Sequence, residues 1–171
     1  GTSDEYRDRP FQKQKRNVPK ATVYVGNELS VFDSGAEEND RDIVKPEGEF
    51  WVTYAGTIGT SYDIRTMLFA AEELAKRGKE NIKIKILGGG PLKDELEALA
   101  RDKKINNAEF VGYAPYDKMA AYLKKSDILV NSFVRKAPQS IVTKIGDYLA
   151  AGKAMINTCM SPEFRNKVEN D

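Results

Sequence analysis

The sequence predicts an α/β fold with a doubly wound parallel sheet, and three observations lead to this prediction. From residue 50 onward, short apolar runs typical of buried strands recur along the chain. Each run is followed by a segment whose apolar residues repeat at helical spacing, so strands and helices alternate. Two of the turns that lead from a strand into a helix are rich in glycine, and ligands bind at that end of the strands in such sheets.

Five strands and five helices follow in order from these patterns. The predicted strands are residues 50–55, 82–87, 108–111, 128–131 and 154–157. The first helix is indicated by apolar residues at helical spacing, namely Ile64, Met67, Leu68, Ala71, Leu74 and Ala75. The second helix starts at Pro91, a favoured first helical position, and the third spans 116–124. The fourth spans 140–151 and ends at Gly152, and the fifth begins at residues 161–163.

The first 49 residues differ in character from the rest. Residues 1–20 are basic and carry few apolar side chains, which predicts a linker or flexible terminus. Residues 21–49 are expected to supply a short strand at 22–25, leading in from a preceding domain, and then an exposed acidic loop over 33–49. Residues 50–171 form the predicted sheet domain, which we expect to be truncated at its C-terminal end.

Composition excludes several classes of function. The 27 basic and 26 acidic side chains nearly cancel, so no global field attracts nucleic acid. The chain has no histidine, which excludes Ser-His-Asp and Cys-His catalysis and His-ligated zinc within it. Cys159 is the only cysteine, so no intrachain disulfide can form, and this suits the cytoplasm. No apolar run approaches the roughly 18 residues that cross a bilayer.

The two glycine-rich turns are the first candidates for ligand binding. Residues 54–59 read Tyr-Ala-Gly-Thr-Ile-Gly after the first strand, and residues 87–91 read Leu-Gly-Gly-Gly-Pro after the second. Glycine lets a ligand approach the backbone, and a helix N-terminus offers free N–H groups to phosphate. Plain tight turns are the alternative. Neither turn has the G-x-G-x-x-G spacing, and the chain has no P-loop, so dinucleotide and P-loop folds lack their defining element.

The fourth helix carries the candidate polar groups. We expect Ile141, Ile145, Tyr148 and Leu149 to form its core stripe, with Ser140, Lys144 and Asp147 on a separate face. On that face, Lys144 could pair with phosphate oxygens and Asp147 could accept hydrogen bonds from ribose hydroxyls. The alternative is a solvated face on which Lys144 and Asp147 form an i,i+3 ion pair.

Taken in order, the motifs resemble the donor domain of the family 4 retaining glycosyltransferases, also called glycosyl transferases group 1. The matching segments read YAGTIG, KIKILGGGPLKDELEALA, NNAEFVGY, SDILVNS and TKIGDYLAAGKAMI, and the upstream TVYVGNELSVFD looks like the connection from the first domain. The resemblance implies the GT-B architecture, in which two Rossmann-like domains face each other across a cleft. This chain would be the C-terminal, donor-binding half, and its lysine at position 144 is similar to branches that make bacterial surface polysaccharides.

Carried over by position, the resemblance implies a set of donor-binding residues. Gly59 and Lys144 would lie near the diphosphate, Tyr113 and Ala114 near the base, and Asp147 at the ribose. Gln139 would lie near the donor sugar, and Gly89 and Gly90 near the nucleotide. The residues near the phosphates would be Ser140, Ile141 and Val142.

Two departures from the family pattern accompany these assignments. The family has two glutamates separated by seven residues, and here the spacing is kept by Gln139 and Asp147. An arginine and a lysine that often follow the first strand are replaced by Thr57 and Tyr62. No catalytic residue is assigned.

The resemblance implies transfer of a sugar from a UDP- or GDP-linked donor to a hydroxyl acceptor, without a cofactor or metal. The acceptor would be a glycan or a lipid-linked glycan held by a missing N-terminal domain, so we expect the isolated chain to be inactive. The expected location is the cytoplasm, with contact to the inner face of the membrane made through the missing half. The alternatives are a catalytically degenerate or scaffolding domain of the same fold, a sugar-nucleotide epimerase-like enzyme and a redox domain. Strong NAD or flavin binding would favour the last of these.

Overall fold

The computed structural model describes residues 3–8, 10, 19–137 and 141–170. Within these residues the elements are α1 (Asp4–Asp8), α2 (Leu29–Glu38), β1 (Phe50–Ala55), α3 (Ile64–Lys76), β2 (Ile82–Leu87), α4 (Lys93–Asp102), β3 (Ala108–Gly112), α5 (Tyr116–Lys125), β4 (Ile128–Asn131), α6 (Lys144–Ala151), β5 (Ala154–Asn157) and α7 (Pro162–Asn170). The strands begin and end where the apolar runs predict, except that β3 extends to Gly112.

The five strands form one parallel sheet in the order β3-β2-β1-β4-β5, which confirms the predicted doubly wound, Rossmann-like α/β fold. The order reverses between β1 and β4, and ligands bind at such a switch point. β1 pairs with β2 along its whole length, whereas only Val52 and Thr53 pair with β4. The carboxyl ends of β1 and β4 are therefore joined by a side chain instead, since the hydroxyl of Tyr148 bonds to Ala55 and to Val130.

Helices cover both faces of the sheet, and each face contributes strand residues to a buried core. On one face, α3 and α4 contribute to a core with Ile84, Ile86 and Val130 of the strands. On the other, α2, α5 and α6 pack against Leu87 and Leu129. The predicted stop of α6 is confirmed at Gly152, which adopts the left-handed conformation with φ 66°. Asp63 caps α3 by accepting a hydrogen bond from the backbone N–H of Thr66 at 3.1 Å.

The prediction of an exposed loop over 33–49 is wrong for its first part, because residues 29–38 form α2. Phe32 and Ala36 lie one turn apart and pack against α5, and Phe32 is fully buried. Gly35 lets the two helices approach, since a Cβ there would lie 2.9 Å from the Cα of Asp117. The acidic side chains face outward, where Asp33 pairs with Lys124 at 2.9 Å. The acidic composition of this segment favoured a loop, although its apolar residues have helical spacing.

Other local predictions also need correction. Residues 22–25 have no strand partner and run as an irregular lead-in segment (residues 19–28). Within the predicted terminal linker, residues 4–8 form α1, and the backbone N–H of Asp4 donates to Glu163 of α7 at 2.7 Å. The helix predicted from Pro91 begins two residues later, at Lys93, and α6 begins at Lys144. Leu149, expected in the core, is 70% exposed.

Candidate functional site

A cleft of about 460 Å³ opens at the carboxyl ends of β1, β2 and β3. Its walls come from the two glycine-rich turns and from the turn after β3, and its lining residues are Ala55, Gly56, Thr57, Leu87, Gly88, Gly89, Tyr113, Ala114 and Met119. The structure thus brings together Gly89, Tyr113 and Ala114, three of the residues assigned from the sequence. Tyr113 stands at the rim and is 84% exposed, so its ring is free to cover a flat ligand.

The two glycine-rich turns hold each other by backbone hydrogen bonds. The N–H of Ile58 donates to Gly89 at 2.8 Å, and the N–H of Leu92 donates to Ile58 at 3.1 Å. A Cβ on Gly88 would lie 2.0 Å from the carbonyl oxygen of Gly56, and one on Gly90 would lie 2.4 Å from that of Ile58. These two glycines are therefore required by the packing of one turn on the other. Gly89 is different, because a Cβ there would meet no atom within 4 Å.

Gly59 lies in the turn after β1 and is buried. Its carbonyl accepts a hydrogen bond from the N–H of Tyr62 at 3.0 Å, and this bond tightens the turn that leads toward α3. Residues 56–63 of this turn include no lysine or arginine, so the turn itself offers backbone N–H groups and no basic side chain to an anion.

Lys144 extends from the first turn of α6 to the end of β1. Its amine nitrogen lies 3.9 Å from the ring centre of Tyr54 and 4.1 Å from that of Tyr62. The nitrogen also fills the space that a side chain at position 56 would need, since a Cβ on Gly56 would lie 2.5 Å from it. We call Tyr54, Gly56 and Tyr62 the lysine pocket. Gly56 also lines the cleft, whereas Lys144 does not, so the buried amine lies next to a lining residue and behind the cleft surface.

The amine of Lys144 is buried and has no hydrogen-bond partner among the residues that the structure describes. Burial lowers the pKa of Lys144 to about 7, because a charged amine loses its water there without gaining a hydrogen bond. The solvated face and the ion pair with Asp147, left open by the sequence, are therefore not what the described residues form. An unpaired cationic group beside glycine turns is suited to an anionic ligand.

Asp147, one turn further along α6, belongs to a separate polar cluster. Its carboxylate accepts hydrogen bonds from the side-chain amide of Asn27 at 2.6 Å and from the hydroxyl of Tyr116 at 3.0 Å. Burial raises the pKa of Asp147, and these two donors partly oppose that shift. The cluster fixes the direction of the carboxylate and leaves acceptor capacity for a hydroxyl donor.

Tyr148 positions α6, and with it Lys144 and Asp147, against the sheet. Its hydroxyl accepts a hydrogen bond from the N–H of Ala55 at 2.9 Å and donates to the carbonyl of Val130 at 3.2 Å. The residue therefore bridges β1 and β4 at the switch point. Only 2% of Tyr148 is exposed and its hydroxyl is used by the two strands, so its role is structural.

Ile141 and Val142, assigned near the phosphates, lie elsewhere than the cleft lining. Both are partly buried and pack beside Phe133 and Ile145. They also line a larger, apolar groove of about 780 Å³ between the lead-in segment, α6 and α7. That groove has the greater volume, but it lacks the glycine turns and the unpaired amine. Gln139 and Ser140 lie outside the described residues, and their assignments stay predictions.

Within the described ranges, no three His, Cys, Asp or Glu side chains lie close enough together to hold a metal ion. Asp40 and Asp42, after α2, instead form ion pairs with Lys125 and Lys118 of α5. The cleft itself is lined by the two glycine turns and by Tyr113, Ala114 and Met119, with no carboxylate among its lining residues.

Sequence reasoning missed Asn27 and Tyr54. Tyr54 sits at the end of an apolar strand and resembles an ordinary core residue, while Asn27 lies in a segment without periodicity. Neither has a sequence signal, because their roles depend on side chains that are distant along the chain, at positions 144 and 147.

Comparison with known sequences identifies relatives of this chain. The family model for glycosyl transferases group 1 matches residues 35–159. The chain is also 28% identical over 121 residues to WcaI of Escherichia coli (strain K12), whose name assigns it to colanic acid biosynthesis as a glycosyl transferase. That match covers 70% of this chain and 28% of WcaI, so the chain spans less than a third of this relative.

Solved structures share the fold at low sequence identity. WaaG, a glycosyltransferase involved in lipopolysaccharide biosynthesis, superposes with a TM-score of 0.73 at 14% identity, over 98% of this chain and 45% of that one. Alr3699/HepE of Anabaena, solved with UDP-glucose, gives a TM-score of 0.68 at 13% identity, over 92% of this chain and 43% of that one. These likenesses show the fold.

Proposed function

Because this chain belongs to the glycosyl transferases group 1 family, we propose that it is the donor-binding domain of a retaining glycosyltransferase. Its ligand is a nucleoside diphosphate sugar. The observation that carries the proposal is the buried amine of Lys144, which has no hydrogen-bond partner among the described residues and lies next to Gly56, a lining residue of the cleft between the glycine turns. A group that lacks a partner in the ligand-free chain gains one when a diphosphate enters.

The ligand is accommodated by parts of the site with different chemistry. Tyr113 and Ala114 receive the base at the rim, and Asp147 accepts hydrogen bonds from the ribose hydroxyls. Gly59 and Gly89 offer backbone to the diphosphate, with Lys144 as its charged partner. Gln139, Ser140, Ile141 and Val142 belong to the segment that contacts the sugar and its phosphates. This set supplies binding without a metal.

Catalysis in this proposal comes from stabilising the leaving group. As the bond to the sugar breaks, negative charge grows on the nucleoside diphosphate, and a preorganised cation beside it lowers the barrier. Removing one such donor costs about 10²–10³ in kcat in well-studied enzymes. Lys144 fits this role because two ring faces and the backbone at Gly56 already fix its amine. No protein nucleophile is assigned.

The acceptor is a hydroxyl of a glycan or lipid-linked glycan, and a second domain of the GT-B pair supplies its site. The relatives named for colanic acid and lipopolysaccharide synthesis support a polysaccharide product. Among the described helices, none combines the length and apolar character needed to span a bilayer. We place the protein in the cytoplasm, with membrane contact made by the acceptor half.

A second candidate is a nucleotide-binding domain of this family that has lost transfer. Tyr62 occupies the position of the family lysine, and its ring packs on Phe133 with centres 5.0 Å apart. One of the two basic groups expected at the diphosphate is thus replaced by an aromatic contact. Such a domain would bind nucleotide without supporting turnover in the intact protein.

Isothermal calorimetry with UDP-glucose, GDP-mannose, ADP-glucose and NAD tests the proposal. We expect one nucleotide sugar to bind wild-type chain and to bind at least about tenfold more weakly after Lys144→Met, since a charged hydrogen bond contributes about 1.5–3 kcal/mol. The exposed Lys79→Met is the matched control and should bind as wild type does. Binding of NAD alone would contradict the proposal and favour the epimerase or redox alternatives.

A further inference from the structure

The groups of the lysine pocket surround the amine of Lys144 but do not supply the hydrogen bonds that water would make to it. Two tyrosine ring faces lie about 4 Å away, and the hydroxyl of Tyr54 is turned to the carbonyl of Thr57, to which it donates at 2.7 Å. Ring faces attract a cation but accept no full hydrogen bond. No described carboxylate pairs with this amine, and its nitrogen has no hydrogen-bond partner in the described ranges.

The titratable groups packed around this amine leave its charge unbalanced. Tyr54 faces it from β1 and Tyr62 from the turn before α3, and burial raises the pKa of Tyr54 far above the neutral range, so this phenol stays uncharged. On α6 itself, Asp147 is turned to Asn27 and Tyr116, and Tyr148 is turned to Ala55. Burial is thus the dominant influence, and it lowers the pKa of Lys144 to about 7.

We propose that the lysine pocket keeps the Lys144 amine partly unprotonated in the ligand-free chain, so that a nucleoside diphosphate sugar binds together with one proton from solvent. The inference rests on the proposed function, because it adds a proton to the same donor site. The diphosphate of such a donor carries two negative charges, and pairing with one of its oxygens restores the charged ammonium. The only bond change is this proton transfer, in which the buffer acid loses a proton and the amine nitrogen gains an N–H bond.

This linkage has a measurable consequence for donor affinity. Where the free amine has lost its proton and the bound amine keeps it, the dissociation constant rises about tenfold for each pH unit. We therefore expect donor binding to weaken steadily above pH 7. A surface lysine with an ordinary pKa of about 10.4 would give no such change below pH 9.

Calorimetry at pH 8 in two buffers of different ionisation enthalpy measures the proton directly. The ligand is the nucleotide sugar that binds best, because a free UDP carries a terminal phosphate with its own pKa near 6, as phosphate monoesters do. We expect uptake of close to one proton per donor. Lys144→Arg is the matched variant, since a guanidinium stays protonated and should bind without uptake and without the pH dependence.

A second measurement does not need the donor. In chain labelled with ¹³C at the lysine ε-carbons, one signal should titrate near pH 7 and should be missing in Lys144→Met. Tyr62→Ala should move this titration toward the ordinary lysine range by admitting water, whereas Tyr62→Phe should leave it in place.

The outcomes separate the inference from the proposed function. Donor binding of constant affinity between pH 7 and 9, with no proton uptake, overturns the inference and leaves the donor site standing. A Lys144 signal that titrates only above pH 9 also overturns it. Failure of every nucleotide sugar to bind at pH 6, where the amine is charged, overturns the proposed function and the inference with it.

Discussion

At the scale of single residues, Lys144 illustrates a conflict between stability and binding. Its amine is buried without a hydrogen-bond partner among the described residues, which costs free energy in the folded state. The same feature leaves the amine available to an anion. Tyr54 and Tyr62 reduce the cost by presenting their ring faces, and Gly56 removes the side chain that would collide with it.

We predict that Lys144→Met raises the free energy of unfolding at pH 6. The folded pKa of Lys144 is about 7, and an unfolded lysine has about 10.4, so the unfolded chain binds the proton more tightly. The penalty is therefore full below pH 7 and fades as the pH rises toward 10.4. Each kcal/mol recovered adds about 2–4 °C to the Tm of a chain of this size.

Thermal unfolding of wild type and variant from pH 6 to pH 9 checks this prediction. The gap in Tm should narrow as the pH rises, and the exposed Lys79→Met control should show no gap that changes with pH. A Lys144→Met chain that is less stable than wild type at pH 6 would mean that the amine is hydrated or paired.

Asn27 gives a second prediction for a single side chain. Asn27→Ala removes the 2.6 Å hydrogen bond to Asp147, and a bond to a charged group contributes about 1.5–3 kcal/mol. We expect a loss of stability in that range in urea unfolding, and weaker nucleotide binding because the carboxylate is no longer held in place. The exposed Asn106→Ala should change neither property. If both variants unfold at the same urea concentration, Asn27 does not position Asp147.

The roles of the site residues could be predicted from the sequence only in part. Lys144 and Asp147 were expected on one polar face, and the sequence assigned them both to the ligand. In the structure the two side chains have different neighbours: Lys144 lies against Tyr54 and Tyr62, and Asp147 bonds to Asn27. Spacing along the helix cannot predict these neighbours, because each lies on another segment of the chain.

At the scale of elements, α2 depends on one buried aromatic residue. Phe32 is fully buried between α2 and α5, and its ring lies edge-on to Tyr116 with centres 6.2 Å apart. We predict that Phe32→Ala lowers the free energy of unfolding by about 3–5 kcal/mol. Val31→Ala, at a 51% exposed position of the same helix, is the control and should cost far less. Equal effects in urea unfolding would restore the prediction of an exposed acidic loop.

The glycine turn between β2 and α4 allows a sharper comparison within one loop. Gly88→Ala places a Cβ 2.0 Å from the carbonyl oxygen of Gly56, at a φ of 121° that side chains avoid. Gly89→Ala meets nothing within 4 Å. We expect Gly88→Ala to cost about 3 kcal/mol through overpacking and strain, and Gly89→Ala to leave stability close to wild type. Chemical unfolding of the two variants measures the difference, and equal values would contradict the interlocked turns.

Periodicity predicted the regular elements well because they repeat. β1 is a largely apolar run, β2 alternates isoleucine with lysine before ending in two apolar residues, and α3 and α5 carry apolar residues at helical spacing. Composition conceals α2 because seven of its ten positions are polar or small, although Phe32 and Ala36 keep the helical interval. The predicted start of α6 is too early, because nothing in the sequence of residues 141–143 signals that the helix begins only at Lys144.

At the scale of the whole molecule, the sheet order converts local turns into one site. Parallel strands bring the turns after β1, β2 and β3 to the same edge, and the reversal between β1 and β4 lets α6 reach β1 from the other side. Tyr148 fixes that approach through hydrogen bonds to Ala55 and Val130. The fold class was predictable from alternation alone, while the meeting of α6 with the turn after β1 requires three dimensions.

The central claim is that the cleft at Gly56 and Gly89 binds a nucleoside diphosphate sugar. An amide NMR titration of ¹⁵N-labelled chain at pH 6.5 with the best nucleotide sugar tests it most directly. We predict shifts concentrated at Gly56, residues 88–90, Tyr113 and the first turn of α6, and their loss in Lys144→Met. Shifts confined to the apolar groove beside Val25, Leu149 and Phe164, or shifts unchanged in Lys144→Met, would contradict the account.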